Sequence, residues 1–115
     1  MATKIIKIEK SVFYILIIYV IGINLTFSAW QYNEVVSILL IVLFSISIER
    51  WHNKYDRILF VLGALGGSLG EISAVNLGIW SYTNPFLLGI PLWLPFIWGE
   101  TIVVAKKAAD IFVQL

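Results

Sequence analysis

Residues 63–85 read "GALGGSLGEISAVNLGIWSYTNP". The stretch is apolar enough for a helix in lipid, yet glycine recurs where leucine would be expected. A carboxylate, Glu71, interrupts the run. What makes glycine and glutamate tolerable together there decides what kind of fold the chain adopts.

Composition supplies the solvent. Of 115 residues, 60% are hydrophobic and 13% are charged, and mean hydropathy is +0.92. Soluble domains run near half apolar and about a quarter charged. A chain this short has too much surface for its volume to bury such an excess in water. Lipid is the expected surroundings, and one integral membrane domain over residues 1–115 the expected organisation.

Working outward from the quoted stretch, four apolar spans follow one another at about 12–29, 32–50, 58–80 and 86–105. The first is long enough to cross a ~30 Å hydrocarbon core. It exceeds the roughly 7–15 apolar residues of a cleaved signal and reads as a retained span. The second has a short apolar centre, 35–48. It reaches full length by recruiting residues 32–34 and 49–51, whose charged ends snorkel to the interfaces.

The charges test this partition. Lysines and arginines fall at Lys4, Lys7 and Lys10, at Arg50, Lys54 and Arg57, and at Lys106 and Lys107, which accounts for all eight. The connections "WQYNE" and "SYTNP" contain none. Four spans put every basic residue on one side, as the positive-inside rule requires. The expected fold is therefore all-α: a four-helix transmembrane bundle, N-terminus and C-terminus cytoplasmic, multi-pass in the cell's inner or plasma membrane. Trp30, Tyr32, Trp80 and Tyr82 then gather at the outer boundary, and Trp51 and Tyr55 at the inner one, where aromatic rings suit the headgroup level. Residues 49–57 read as a solvated connection. After Lys107, Ile111, Phe112 and Leu115 share one helical face, so the tail either lies along the interface or continues the fourth helix.

Helices in lipid associate through close backbone packing and polar contacts rather than by hiding apolar side chains. Gly63, Gly67, Gly70 and Ala74 form a narrow smooth stripe on the third helix, and Gly66 and Gly70 form a GxxxG pair. A neighbouring helix is expected to pack on that stripe. Glu71 lies at its edge and so faces protein, because a charge at mid-bilayer costs about 2.5–3.5 kcal/mol or more. Counted along a helix to Trp80 it lies roughly 13 Å deep, too far for a glutamate to snorkel. It must be protonated, paired, or open to a water-filled cavity. Asn24 on the first helix and Ser37, Ser45 or Ser47 on the second are the candidate partners, while Asn76, five residues on, faces a different direction. Glu100 is a second intramembrane carboxylate, nearer the cytoplasmic side. With no lysine or arginine in any span, no buried ion pair is expected.

"NPFLLGIPLWLPFIWGE", residues 84–100, opens the fourth helix. Pro91 and Pro95 each remove a backbone donor, so the helix is kinked or starts late around them. Irregular backbone at membrane depth needs protein or a water-lined cavity beside it. Trp93 and Trp98 are expected to wall such a cavity.

Several chemistries are excluded. There is no cysteine, hence no disulfide, thiolate metal site or iron–sulfur cluster. Glu49-x-x-His52 is half of a di-iron pattern, and its second half is missing. No metal and no cofactor are expected, and the basic residues are topology signals rather than a nucleic-acid surface.

The order Gly70-Glu71, Gly78-x-Trp80-x-Tyr82, Gly89-Ile90-Pro91 and Trp93-x-Pro95-x-x-Trp98, within residues 63–98, resembles polytopic membrane proteins of carotenoid biosynthesis, the hydratase-type proteins among them. That resemblance implies that Glu71 matches the acidic position, Tyr82 the aromatic turn and Pro91 the kink. Three readings stay open. In the first, Glu71 is the acid of an intramembrane site that binds or modifies a lipid or isoprenoid, with Tyr82, Trp93, Trp98, Glu100 and Asn76 as ligand contacts. In the second, Glu71 and Glu100 mark the path of a small oligomeric transporter or proton-coupled channel. In the third, the chain is a structural subunit whose glycine stripe binds a partner helix. Membrane lipids, a second copy of the chain and another membrane subunit are the partners these readings allow.

Overall fold

A computed structural model describes residues 8–114 and folds them into four helices: α1 Lys10–Ala29, α2 Asn33–Trp51, α3 Lys54–Asn76 and α4 Leu94–Val113. Among the described residues the only extended pairing is a single bridge between Leu87 and Ile90. The helices measure 54 × 28 × 25 Å together.

α1 and α2 form a hairpin joined by a short corner. Gly22 lets them close: a side chain there would meet the Phe44 ring at 2.9 Å and Leu40 at 3.2 Å. α4 is the central element. It touches α1 and α2 and packs most extensively on α3. The buried core runs along α2 as Val36, Leu40 and Phe44, and Phe60, Trp93, Phe96 and Ile97 pack against it. α3 and α4 approach closely through glycine on both sides. A Cβ at Gly63 would lie 2.6 Å from Ile102, and one at Gly99 would lie 2.9 Å from Phe60. Gly99 is a packing residue that the stripe on α3 does not reveal.

The connections cluster as the charge pattern requires. At one end, the Asn84 amide donates to the backbone oxygens of Trp30 (3.2 Å) and Gln31 (2.6 Å), and Asn33 donates to the Asn84 carbonyl at 2.9 Å. At the other end Tyr14 stacks on Trp51 with ring centroids 5.1 Å apart, and Lys107 meets Asp56 at 2.8 Å. Lys10, Arg50, Lys54, Arg57, Lys106 and Lys107 therefore share one end. Lys4, Lys7 and Leu115 lie outside the described residues.

Three expected boundaries are corrected. Residues 49–57 are not one loop: α2 runs to Trp51 and α3 starts at Lys54, and although Glu49, Arg50, Asn53, Lys54, Tyr55 and Arg57 are exposed, His52 and Asp56 are buried. A capping box starts α3 so early. The Asn53 side chain accepts from the Asp56 amide at 2.8 Å, and the Asp56 carboxylate accepts from the Asn53 amide at 3.2 Å, which satisfies two otherwise orphaned donors. α3 ends at Asn76 rather than 80. Gly78 adopts φ +74, its amide donates to the Val75 carbonyl (3.1 Å), and the Ile79 amide donates to the Ala74 carbonyl (3.0 Å). That pair of bonds is a Schellman cap, which glycine supports without steric cost. α4 begins at Leu94 rather than 86, with Pro95 in its first turn, where a missing N–H costs nothing. Ahead of it, Leu88 (φ 53) and Gly89 (φ 85) form a tight turn closed by the Ile90 amide on the Leu87 carbonyl at 3.0 Å. Past Lys107, α4 continues as a helix to Val113.

Candidate functional site

Glu71 projects from the last turns of α3 into a ring of aromatic donors. The Tyr82 hydroxyl donates to its Oε2 at 2.6 Å, and the Trp80 indole donates to the same oxygen at 2.9 Å. The Trp98 indole donates to Oε1 at 3.3 Å. None of the expected partners takes part. Asn24 bonds the Val20 carbonyl on its own helix, Ser47 turns to His52, and Asn76 lies exposed at the end of α3.

Local structure explains the ring. The Gly78 cap reverses the chain, so Trp80 and Tyr82 return along α3 instead of extending it. The loop is then held from outside by Asn84 and Asn33, and by the Trp93 indole on the Trp30 carbonyl at 3.3 Å. Trp98 reaches Glu71 from α4 because Gly67 has no side chain; a Cβ there would collide with the indole. With α3 ending at Asn76, Glu71 lies about 7.5 Å from the helix end rather than 13 Å. The carboxylate is half-buried near that end, not deep along the helix.

The glycine stripe divides in two. Gly63 and Gly67 receive α4, whereas a Cβ at Gly66 or Gly70 would meet nothing within 4 Å. Gly70 is therefore no contact within the chain. Gly66, Gly67, Gly70, Glu71, Trp80 and Trp98 instead line an open groove of about 440 Å³. The Tyr82 phenol is pushed well above its usual range, first by burial and then by the Glu71 carboxylate beside it. It stays a hydrogen-bond donor. Three donors on one carboxyl group use it as an acceptor and fix its orientation.

The remaining predicted residues are placed elsewhere. Trp93 lines a different groove of about 440 Å³, with Tyr82, Trp30 and Thr26 at the α1 end, so Trp93 and Trp98 do not share a cavity. Glu100 lies two residues beyond Trp98, about 200° around α4. It is fully buried against the α2–α3 junction, where His52 Nε2 meets its Oε1 at 3.0 Å and Ser47 Oγ approaches the same nitrogen at 3.4 Å. His52–Glu100 is a buried ionisable pair that a search for lysine and arginine in the spans misses. The sole histidine sits between two helices, and a buried position there has no sequence signature. Ser47 and Glu100 share one ring nitrogen, so the three residues do not form a nucleophilic triad, which needs both nitrogens. Glu71 and Glu100 face different elements.

The sequence marks Trp80 as an interfacial anchor, and the structure adds its bond to Glu71. The signal that could have found its role is "NLG" at 76–78: glycine just past an amphipathic run ends a helix and reverses the chain. Among the described residues no group of three or more histidines or acids is placed to hold a metal ion. Comparison of the chain with protein-family models, curated proteins and solved structures gives no match.

Proposed function

We propose that the chain is a small multi-pass protein of the cell's inner or plasma membrane, its basic end cytoplasmic, whose Glu71 groove binds the polar head of an amphiphilic lipid. α1 and α3 are long and apolar enough to cross a membrane. Only 22% of the α1 window and 11% of the α3 window are buried, whereas a soluble core helix is mostly buried. Phe13, Ile17 and Val20 on α1 and Leu62, Leu65 and Leu69 on α3 are 41–63% exposed. Apolar surface on that scale marks a membrane or protein contact.

One observation carries the ligand reading: a carboxylate fixed by Trp80, Tyr82 and Trp98 on the wall of a laterally open, otherwise apolar groove. A few oriented polar groups in an apolar concavity are the usual make-up of a small-molecule site. Binding is favoured over acid catalysis, because Trp80, Tyr82 and Trp98 hold the carboxyl group as a fixed acceptor on the groove wall. Mass spectrometry of lipid retained by the purified protein tests the proposal. The wild type is expected to retain a distinct lipid that Glu71→Gln and Gly70→Leu lose; equal lipid in all three overturns it.

The open Gly66-x-x-x-Gly70 face favours a second reading, an interface with a partner helix. Loss of a dimer on Gly66→Ile, read by sedimentation in detergent, would support that reading.

A further inference from the structure

We infer that the groove selects a positively charged head: Glu71 with the indoles of Trp80 and Trp98 forms a receptor for an ammonium-bearing amphiphile. This rests on the amphiphile reading above and adds the charge of its ligand. The first ground is a carboxylate without a counter-ion. The ion pairs among the described residues are His52–Glu100, Lys106–Asp110 and Lys107–Asp56, and Glu71 joins none of them. The nearest cation along α3 is Arg57, fourteen residues and about 21 Å away, well beyond the ~10 Å screening distance in moderate salt. Trp80, Tyr82 and Trp98 orient the charge without neutralising it.

The second ground is a vacant acceptor. A carboxylate offers about four lone-pair directions. Tyr82 and Trp80 take two on Oε2 and Trp98 takes one on Oε1. One direction on Oε1 is left without a donor among the described residues. The third ground is the wall. Indole rings attract cations through their negative faces, modestly at a half-exposed ring such as Trp80. Trp80 and Trp98 both line the groove that holds the carboxylate, and the bare backbone at Gly66 and Gly70 leaves room for an alkyl chain. A phosphate or carboxylate head would meet like charge, and a hydroxyl would gain one hydrogen bond without the charge attraction.

Spin-labelled long-chain probes in dodecyl maltoside micelles test this with the whole chain. Three probes share one alkyl chain and end in a primary ammonium, hydroxyl or phosphate. Electron paramagnetic resonance reads the immobilised fraction. The ammonium probe is expected to bind at least ten-fold more tightly than the other two, and to be released by both Glu71→Gln and Gly70→Leu. Gly70→Leu fills the groove where a side chain meets nothing, so it tests the site even if Glu71→Gln fails to fold. Equal capture of all three probes, lost in Gly70→Leu, overturns the charge selection and leaves the amphiphile site standing. No capture of any probe overturns both. Displacement of the ammonium probe by equimolar methylammonium overturns the amphiphile part, since a chain-free ammonium head would then suffice.

Discussion

The hydroxyl of Tyr82 donates to the carboxylate of Glu71 at 2.6 Å, although eleven residues and the end of a helix separate them. The contact exists because the chain reverses at Gly78 and is clamped at Asn84. Replacing Tyr82 with phenylalanine should remove a hydrogen bond to a charged group, worth about 1.5 kcal/mol at a part-buried site. Thermal unfolding in maltoside micelles should show a lower Tm. An unchanged Tm would mean that water replaces the phenol at no cost.

The same contact makes an alkaline prediction. The folded Tyr82 phenol titrates above its usual value of about 10. A group whose proton is held more tightly by the fold stabilises it fully below the unfolded value, and that contribution is lost as pH rises through the folded one. Stability should therefore fall above pH ~10, and more steeply in wild type than in Tyr82→Phe. Parallel curves for the two proteins would remove the assignment.

Gly66 and Gly67 are neighbours with opposite expectations. A Cβ at Gly67 runs into the Trp98 ring, and one at Gly66 meets nothing within 4 Å. Gly67→Ala should destabilise by about 1–3 kcal/mol through overpacking and change the Trp98 fluorescence. Gly66→Ala should be neutral or stabilise by up to ~1 kcal/mol, as expected for alanine in a helix interior. Equal effects at the two positions would place the α3–α4 contact elsewhere.

Gly78 holds the cap at φ +74. Gly78→Ala should cost about 1–2 kcal/mol and speed amide exchange at Ile79, whose N–H closes the cap on Ala74. Unaltered exchange at Ile79 would show that the cap survives with a side chain.

At the opposite end, removing one member of the buried His52–Glu100 pair strands the other. Glu100→Leu or His52→Leu alone should destabilise by about 3–5 kcal/mol, while the double replacement should recover much of that loss. A double-mutant cycle in urea or by heat measures the difference. Additive losses would mean that the two side chains do not interact.

The proposed topology is open to direct labelling, because the chain has no native cysteine. Thr83→Cys and Lys54→Cys should react with an impermeant maleimide from opposite faces of sealed vesicles, Thr83→Cys from the outside. Labelling from one face would refute four crossings.

The sequence by itself determined the helical class, the helix count and the pairing of ends. Those properties are written in local composition: apolar runs of helical length, and basic residues in alternate connections. It also marked Glu71 as anomalous and Gly63 and Gly67 as packing positions, since small residues at helical spacing have few other uses. Only the tertiary structure decided what Glu71 touches, that Trp98 and Trp93 part company, that Gly70 stays open, and that His52 is buried against Glu100. Those outcomes depend on the rotation of α4 against α3 and on a chain reversal at one glycine, which join residues far apart in the chain, and periodicity along one helix carries no record of the neighbour it will meet.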